Sequence, residues 1–348
     1  RRQVRSLEGE GVHGGAVVLI EVASGAIRAL AGSPDYAEAR QGQVNCAYRL
    51  RSPGSALKPF AYAMALEQGM ITPSTILSDR AVAYAEYLPD NYSGEFLGEV
   101  SARYALSQSL NVPALHVTEQ VGLVPFVGTL RKLGLNGIGK PARHYGLSIV
   151  LGTGEVRLVN LANAYAALAR GGVYREVRLL EQDAPGDGRV LFFPETAYLV
   201  ADMLSEGEST AQGVGHSADS GLPRVAMKTG TSNGLRDAWA FAYNPEYVVG
   251  VWLGNPAGAS SPALVGLEAA APLAFRVMRS LYPNGEGPWF ERPDGVGERT
   301  VCSMSGMRPG PACAVTASDL YIRGVSMANR CNACGDGQCA QSSRPRGK

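Results

Sequence analysis

The segment RSPGSALKPF, residues 51–60, places a serine and a lysine three positions apart at the start of an apolar stretch. Proline is tolerated in a helix only within the first turn, so Pro59 puts the helix start close to Ser55. At that position, unpaired backbone N–H groups and the helix dipole stabilise a developing alkoxide. Lys58 lies on the same helical face, within reach of the serine. The pattern predicts a serine nucleophile with a lysine beside it.

Lys58 can take the serine proton only as a neutral amine, and burial together with a second nearby cation lowers the pKa of a lysine. We therefore expect Lys58 to be neutral at working pH. The alternative is an N-cap serine followed by a solvated lysine, because Ser-x-x-Lys alone is common by chance. The pair therefore needs support from elsewhere in the chain.

Two further segments carry polar groups at the ends of predicted elements. Ser109 and Asn111 form a Ser-x-Asn at the end of one helix, where we expect Pro113 to force a break that aims both side chains into a cleft. Lys228-Thr229-Gly230 ends a strand, where glycine allows a ligand backbone to approach and pair along the sheet edge. Taken singly, each is compatible with an ordinary helix end or strand end.

The three motifs occur in the order Ser-x-x-Lys, Ser-x-Asn and Lys-Thr-Gly, and their joint chance occurrence is small. The triplet is characteristic of serine enzymes that form acyl-enzymes, the class A β-lactamases and the penicillin-binding proteins. Together the motifs predict nucleophilic catalysis by Ser55, although none of them alone does so.

The elements that must position these groups are predicted to be one sheet and a set of helices. Apolar runs separated by turn residues predict five strands, at residues 16–22, 26–31, 225–229, 238–243 and 248–253. Helix start and stop signals around apolar stretches predict helices at residues 57–68, 102–110, 157–169, 194–205 and 268–281.

The order of these elements predicts an α/β (α+β) fold, in which an all-helical lobe is inserted into an antiparallel sheet lobe flanked by helices. We expect the sheet lobe at about residues 12–60 and 215–285, and the helical lobe at about residues 61–214. Residues 1–298 would form one bilobed domain, followed by a Cys-rich tail at residues 299–348. A hydrophobic content of 45% over 348 residues suffices for a core of that size.

Most of the cysteines fall in this tail: Cys302, Cys313, Cys331, Cys334 and Cys339. The Cys-x-x-Cys at Cys331 and Cys334, followed by Cys339, has a spacing seen in metal sites, but no histidine lies nearby. Disulfides are the alternative in an oxidising compartment, and we expect at least one disulfide rather than a structural zinc. The remaining cysteine, Cys46, is expected to be a small buried apolar residue.

Charge and hydropathy bear on partners and location. Lys and Arg total 32 against 31 Asp and Glu, so a net charge of +1 indicates neither a nucleic acid nor an anionic membrane as partner. No apolar run is long enough to span a bilayer, so we expect either a soluble protein or a part of a longer one. The histidines lack metal-ligand spacing, and we expect no metal, no cofactor and no Ser-His-Asp triad built on His13, His116, His144 or His216.

From about residue 14 to residue 313, the sequence resembles the transpeptidase domain of class A penicillin-binding proteins. Besides the three motifs, the likeness includes RSPG at 51–54, LGTGE at 151–155, YAALARGG at 165–172 and VWLGN at 251–255. The tail segment VCSMSG at 301–306, with Cys313 after it, resembles the 1C type of that family. The resemblance implies a penicillin-binding or serine β-lactamase-like fold.

The resemblance also implies a role for each motif residue. Ser55 would be the nucleophile, Lys58 its base, and Ser109 a relay that passes the proton toward the leaving amine. Asn111 would hold the substrate peptide, and Lys228 would add positive charge near Ser109 and the substrate carboxylate.

The end of the Lys-Thr-Gly strand would bind the substrate. Thr229 and Thr231 would bind its carboxylate, Gly230 would let its backbone approach, and Ser232 would be an additional contact. The backbone N–H groups of Ser55 and Thr231 would form the oxyanion hole.

These roles imply peptidoglycan D,D-transpeptidation in two steps. A stem peptide ending in D-Ala-D-Ala acylates Ser55 with release of D-alanine, and the amine of a neighbouring stem then takes the acyl group. β-Lactam antibiotics would acylate the same serine. Full-length members usually carry a membrane anchor and a glycosyltransferase domain ahead of this region. The resemblance therefore implies both segments upstream, and a location at the periplasmic, outer face of the cytoplasmic membrane.

Two other functions stay open for the same motifs. Water as acceptor would make a D,D-carboxypeptidase or a β-lactamase, but the residues around Glu155 and Asn160 do not match the β-lactamase glutamate that activates deacylating water. A non-enzymatic penicillin-binding sensor would keep the acylated serine but need no acceptor site. The intact Ser-x-Asn and Lys-Thr-Gly motifs favour catalysis.

Overall fold

A computed structural model describes residues 1–38, 41–82, 91, 94–180, 182–184, 186–205, 223–285 and 287–334. Its strands are β1 (Gly14–Glu21), β2 (Ile27–Ala31), β3 (Ile76–Asp79), β4 (Gly98–Ser101), β5 (Val173–Tyr174), β6 (Arg189–Val190), β7 (Ala226–Thr231), β8 (Asp237–Tyr243), β9 (Tyr247–Gly254), β10 (Val296–Cys302) and β11 (Thr316–Ile322). Its α-helices are α1 (Arg2–Leu7), α2 (Lys58–Glu67), α3 (Ala102–Ser107), α4 (Asn111–Val121), α5 (Leu123–Lys132), α6 (Ala142–Tyr145), α7 (Leu158–Ala169), α8 (Pro194–Ser205) and α9 (Ala271–Leu281). Within these ranges, no helix has the length and apolar character needed to cross a membrane.

Five strands form one antiparallel sheet in the order β2-β1-β9-β8-β7. The tight turn between β8 and β9 is stabilised by Asn244, whose Oδ1 accepts the N–H groups of Glu246 and Tyr247 at 3.0 and 2.9 Å. β7 stands at one end of this sheet and pairs with β8, with Gly230 opposite Trp239. The strand that carries the Lys-Thr-Gly motif is therefore an edge strand.

The sheet is the middle layer of three, because alternate side chains of its strands are buried on both faces. One face, with Leu19, Ala240 and Val251, packs against α1 and α9. The opposite face, with Ile20 and Phe241, packs against α7 and the residues of the helical lobe.

The helical lobe lies between β2 and β7 in the chain and contains α2 to α8 with two small strand pairs, β3–β4 and β5–β6. α2 is buried from Lys58 to Leu66, with α4, α5 and α8 packed around it. α7 joins the two lobes, since Leu158 and Ala162 lie directly over Gly250 of β9, where a side chain would not fit without a shift. One hydrophobic core therefore runs through both lobes.

The predicted fold class is confirmed, and each of the five predicted sheet strands is present with ends within two residues of the prediction. The predicted helix at residues 102–110 is wrong in its last turn, because α3 ends at Ser107 and α4 begins at Asn111. Pro113 does not cause the break. It occupies the first turn of α4, where its missing N–H is tolerated.

The hairpin of β10 and β11 is continuous with the domain. Val296 pairs with Ile322, and both side chains belong to the main core. Asp319 accepts the N–H of Ser74 at 3.0 Å, which fixes the hairpin to the segment after α2. The expected division at residue 298 falls inside β10.

Candidate active site

Ser55 lies in a 3-10 turn, Gly54–Leu57, that leads directly into α2. The Ser55 carbonyl accepts the backbone N–H of Lys58, and Pro59 occupies the first turn of α2. The side chain of Ser55 is half-buried, whereas the residues on either side of it are buried. The hydroxyl is thus presented from an otherwise enclosed turn.

Three hydrogen bonds fix this turn to other parts of the chain. The indole N–H of Trp239 donates to the Ser52 carbonyl at 2.7 Å, and the hydroxyl of Tyr165 donates to the Ala56 carbonyl at 2.8 Å. The Ser52 hydroxyl donates to the Gly152 carbonyl at 2.7 Å. β8, α7 and the Leu-Gly-Thr-Gly segment therefore all hold the backbone around the serine in place.

Close backbone contacts at the turn depend on glycine. A Cβ on Gly230 would overlap the carbonyl oxygen of Pro53. Gly54 has a φ of +54°, and a Cβ there would overlap the carbonyl of Thr231. The edge strand β7 consequently lies directly against the turn that carries Ser55.

Lys58 is fully buried, and its Nζ donates two short hydrogen bonds. The acceptors are the Ser109 carbonyl at 2.5 Å and Asn111 Oδ1 at 2.7 Å, and Ser109 Oγ lies 3.5 Å from Nζ. Lys58 Nζ is thus held by the segment that contains Ser109 and Asn111. Burial itself disfavours the charged form of a lysine.

Lys228, on β7, also contacts the hydroxyl of Ser109. Its Nζ donates to Ser109 Oγ at 2.7 Å and to the Thr229 carbonyl at 3.0 Å, and the residue is 2% exposed. Ser109 Oγ therefore lies between two buried lysine amines, one of them Lys58. Segments from α2, from the residues just before α4 and from β7 therefore meet at this one hydroxyl.

Ser109 has a left-handed backbone, with a φ of +61°. Its N–H donates to the Leu106 carbonyl at 3.2 Å and that of Leu110 to the Ala105 carbonyl at 2.9 Å, the paired bonds of a Schellman motif that ends α3. Glycine is usual at this position, because a left-handed conformation costs other residues about 1–2 kcal/mol. Ser109 therefore has a strained backbone at the same residue whose hydroxyl contacts Lys228.

Asn111 is the first residue of α4, and its position depends on a polar pair that sequence reasoning missed. Its backbone N–H donates to Asn91 Oδ1 at 2.9 Å. Asn91 Nδ2 in turn donates to both carboxylate oxygens of Asp79, at 3.0 and 2.8 Å. Asp79 and Asn91 are buried and belong to no motif, so only the folded chain reveals that they orient Asn111.

Residues 15–279 match the model of the family described as "Penicillin binding protein transpeptidase domain". The matched range contains all three motifs and every residue of the cluster around Ser109. The chain belongs to this family.

Named relatives within the family agree with the resemblance to the 1C type. Penicillin-binding protein 1C of Escherichia coli (strain K12) is 36% identical over 296 residues, which is 84% of this chain and 38% of that protein. Penicillin-binding protein 1A of Aquifex aeolicus (strain VF5) is 35% identical over 305 residues, 80% of this chain and 39% of that protein. The chain thus spans less than half the length of these relatives.

Solved structures of penicillin-binding proteins share the fold. Penicillin-Binding Protein 1A from Haemophilus influenzae superposes with a TM-score of 0.74 at 20% identity, covering 91% of this chain and 54% of that one. The PonA1 protein from Mycobacterium tuberculosis, in complex with penicillin V, gives a TM-score of 0.68 at 21% identity, covering 84% and 86%.

The remaining predicted site residues lie along the end of β7. Lys228 and Gly230 lie on the face of β7 that packs against the Ser55 turn and α8, and the alternation of the strand puts Thr229 and Thr231 on the other face. Thr231 Oγ1 accepts the N–H of Gly266 at 2.9 Å, yet the residue is half-buried and borders the open edge. These four residues therefore surround the free edge of the strand.

Ser232 has a structural position in the turn after β7. Its Oγ accepts the N–H of Asp237 at 2.9 Å and that of Arg236 at 3.3 Å, and the residue is 4% exposed. The hydroxyl thus closes the β7–β8 hairpin. A contact between Ser232 and substrate stays a prediction.

The other residues considered from sequence lie away from this cluster. Cys46 is buried, and burial raises the pKa of its thiol, as expected of a small apolar residue. Of the histidines, His13, His116 and His144 belong to no cluster of possible metal ligands in the described ranges. His216 lies outside the described residues.

Gly230→Ala should destabilise the domain by about 1–3 kcal/mol, because the added Cβ must push β7 away from Pro53. The matched control is Gly128→Ala in α5, where a Cβ meets nothing within 4 Å and alanine should stabilise the helix by about 1 kcal/mol. Thermal unfolding of both variants tests this. Equal melting temperatures would contradict the proposed contact.

Ser109→Ala and Ser109→Gly both remove the hydroxyl that Lys228 contacts, but only glycine relieves the left-handed backbone. We expect the glycine variant to be the more stable of the two by about 1 kcal/mol in urea unfolding. An alanine variant of equal or greater stability would show that the strain is absent.

Proposed function

We propose that this chain is the transpeptidase unit of a peptidoglycan D,D-transpeptidase, with Ser55 as its nucleophile. The observation that supports it most directly is the hydrogen-bonded set of Lys58, Ser109, Asn111 and Lys228, built from three separate chain segments beside the turn of Ser55. Membership of the penicillin-binding transpeptidase family adds the expectation of a serine that reacts with β-lactams.

In the first step, Lys58 accepts the proton of Ser55 while Ser55 Oγ attacks the carbonyl carbon of the D-Ala-D-Ala bond. The two amine hydrogens of Lys58 stay directed at the Ser109 carbonyl and Asn111 Oδ1, so its lone pair takes the proton. The C–N bond then breaks, and D-alanine leaves as its amine is protonated.

Ser109 donates the proton that the leaving amine takes up. Lys228 donates to Ser109 Oγ at 2.7 Å, so the hydroxyl hydrogen is directed at a different acceptor, the leaving amine. Lys58, 3.5 Å from Ser109 Oγ, restores the proton that Ser109 gives up. In the second step the route runs in reverse, and Ser109 takes a proton from the attacking amine of a second stem peptide.

The edge of β7 provides the surface for an extended peptide. The D-Ala-D-Ala segment would lie along this edge, with its carboxylate near Thr229, Thr231 and Lys228 and with Gly230 leaving room for its backbone. The N–H groups of Ser55 and Thr231 would polarise the reacting carbonyl. Support comes from the close packing of β7 against the Ser55 turn.

The alternative with water as acceptor has less support. Glu155, the candidate for activating water, is exposed, and Asn160 donates its amide to the Gly134 carbonyl at 2.8 Å. Neither observation connects Glu155 or Asn160 with the cluster around Ser109. A neighbouring stem amine is accordingly the acceptor that we propose.

The partners and location follow from the same proposal. Stem peptides of peptidoglycan and β-lactam antibiotics would bind at Ser55, without a cofactor. Because this chain spans 38% of the 1C relative, we propose a glycosyltransferase domain and a membrane anchor upstream in the full-length protein. The reaction would take place on the periplasmic side of the cytoplasmic membrane.

Lys58→Arg should slow acylation of Ser55 by a fluorescent penicillin by about 100-fold or more, because arginine keeps a positive charge but cannot act as a base. Stopped-flow labelling measures the rate. Lys140→Arg, the same change at an exposed lysine, is the control and should leave the rate unaltered. An undiminished rate in the Lys58 variant would remove this residue from the role of base.

Benzylpenicillin should label Ser55 at one equivalent, and the adduct should persist for much longer than it took to form. The leaving amine stays tethered in the opened ring and blocks the acceptor, so acylation is fast and release is slow. Intact-mass measurement after brief exposure and again after hours of dilution follows both steps. Ser55→Ala must stay unlabelled.

Turnover assays distinguish a transpeptidase from a carboxypeptidase, a β-lactamase and a sensor. With a stem-peptide donor and an amine acceptor, a cross-linked product is expected, and benzylpenicillin should abolish it. Hydrolysed donor alone would indicate a carboxypeptidase, and rapid loss of the penicillin adduct would indicate a β-lactamase. A stable adduct without turnover of either kind would indicate a sensor.

A further inference from the structure

Four tail cysteines from three separate stretches of the sequence meet at one point of the fold. Cys302 ends β10, Cys313 precedes β11, and Cys331 and Cys334 lie in the segment that follows the hairpin. Their sulfur atoms all lie within 4.8 Å of one another. Cys339, the fifth tail cysteine, lies outside the described residues.

The spacing of these sulfurs suits a shared metal ion and not a covalent pair. Cys302 Sγ and Cys334 Sγ are 3.6 Å apart, and Cys331 Sγ and Cys334 Sγ are 3.9 Å apart. A tetrahedron of zinc–sulfur bonds of about 2.3 Å requires edges of about 3.8 Å. A disulfide requires an S–S distance of about 2.05 Å, well below both of these separations. The expected disulfide is therefore not formed within either of these two pairs, whereas any pairing of Cys339 lies outside the described residues.

The backbone around the cluster is arranged to hold it. Cys302 donates its N–H to the Met307 carbonyl at 2.7 Å and accepts that of Gly306 at its own carbonyl at 2.8 Å, which forms a tight loop after β10. Cys331 donates its N–H to the Arg308 carbonyl at 2.8 Å. The Gly310 N–H points at the Cys313 sulfur at 3.3 Å, a contact of the kind that supports metal-bound thiolates.

This part of the chain has almost no core of its own. In residues 303–334 the buried positions are Gly306, Asp319 and Ile322. The Val296–Ile322 end of the hairpin packs on the main core, whereas the Cys302–Thr316 end and the segment around Cys331 lie beyond it. Segments with so little apolar burial usually need a metal or a covalent cross-link to stay folded.

We propose that Cys302, Cys313, Cys331 and Cys334 bind one structural Zn²⁺ ion. The four thiols lose their protons on binding and give a tetrahedral tetrathiolate site with no open position for substrate, which suits a structural ion. Histidine is not required, because the β10–β11 hairpin supplies the third and fourth sulfurs. The proposal does not depend on the catalytic role of Ser55.

The test uses the full chain, exported to the periplasm of a bacterial host and purified without reductant. We expect about one equivalent of zinc by elemental analysis and native mass spectrometry. The four cluster cysteines should resist alkylation until a zinc chelator is added, and chelation should expose residues 303–334 to proteolysis while α2 and the sheet stay protected. Cys331→Ser and Cys334→Ser should each lower the zinc content at least tenfold.

Cys339→Ser is the matched control, a tail cysteine outside the cluster that should keep the full zinc content. If the cluster variants fail to fold, metal content and alkylation of the unchanged chain decide alone. Disulfide-linked peptides joining any two of the four cysteines would overturn the proposal. Free thiols that react at once in metal-free, folded protein, or iron in place of zinc, would also overturn it.

Discussion

Two lysine side chains, Lys58 and Lys228, are buried on either side of the Ser109 hydroxyl. The surrounding structure must therefore provide acceptors for their hydrogen bonds. Removing an amine from water is unfavourable unless each hydrogen has a partner. The Ser109 carbonyl, the Asn111 amide and the Thr229 carbonyl provide those partners. Ser109, whose backbone is left-handed, contacts both lysines: its carbonyl accepts from Lys58 and its hydroxyl accepts from Lys228.

The same constraint explains why the cluster draws on so many elements. Lys58 must come from a helix that is buried on all sides, whereas Lys228 must come from an edge strand that packs against that helix start. The groups that would meet a substrate, Ser55, Ser109 and Asn111, are half-buried in front of the lysines. In the proposed mechanism, buried lysines behind accessible hydroxyls separate proton transfer from substrate access.

Much of this architecture could be predicted from the sequence, because the strands around Ala16, Val225 and Val248 are apolar runs bounded by turn residues. The three motifs identified the polar cluster because their spacing is specific. The helix end at Ser107 was missed, since a Schellman motif with serine in the glycine position has no local signal. Asp79 and Asn91 were missed because their partners are distant in sequence, and the contact of Tyr165 with Ala56 was not predicted for the same reason. The cysteine cluster was missed because Cys302 and Cys313 approach the Cys-x-x-Cys only after β10 and β11 pair.

The insertion of the helical lobe between β2 and β7 has a consequence for how the chain folds. β1 lies in the middle of the sheet, and its pairing with β9 joins Gly14 to Gly254. During synthesis or export from the N-terminus, β1 and β2 emerge long before their partner and present an unpaired, largely apolar strand edge. Contacts of such long range also slow folding. The edge of β1 therefore stays open to chaperone binding or aggregation until β9 is made and pairs with it.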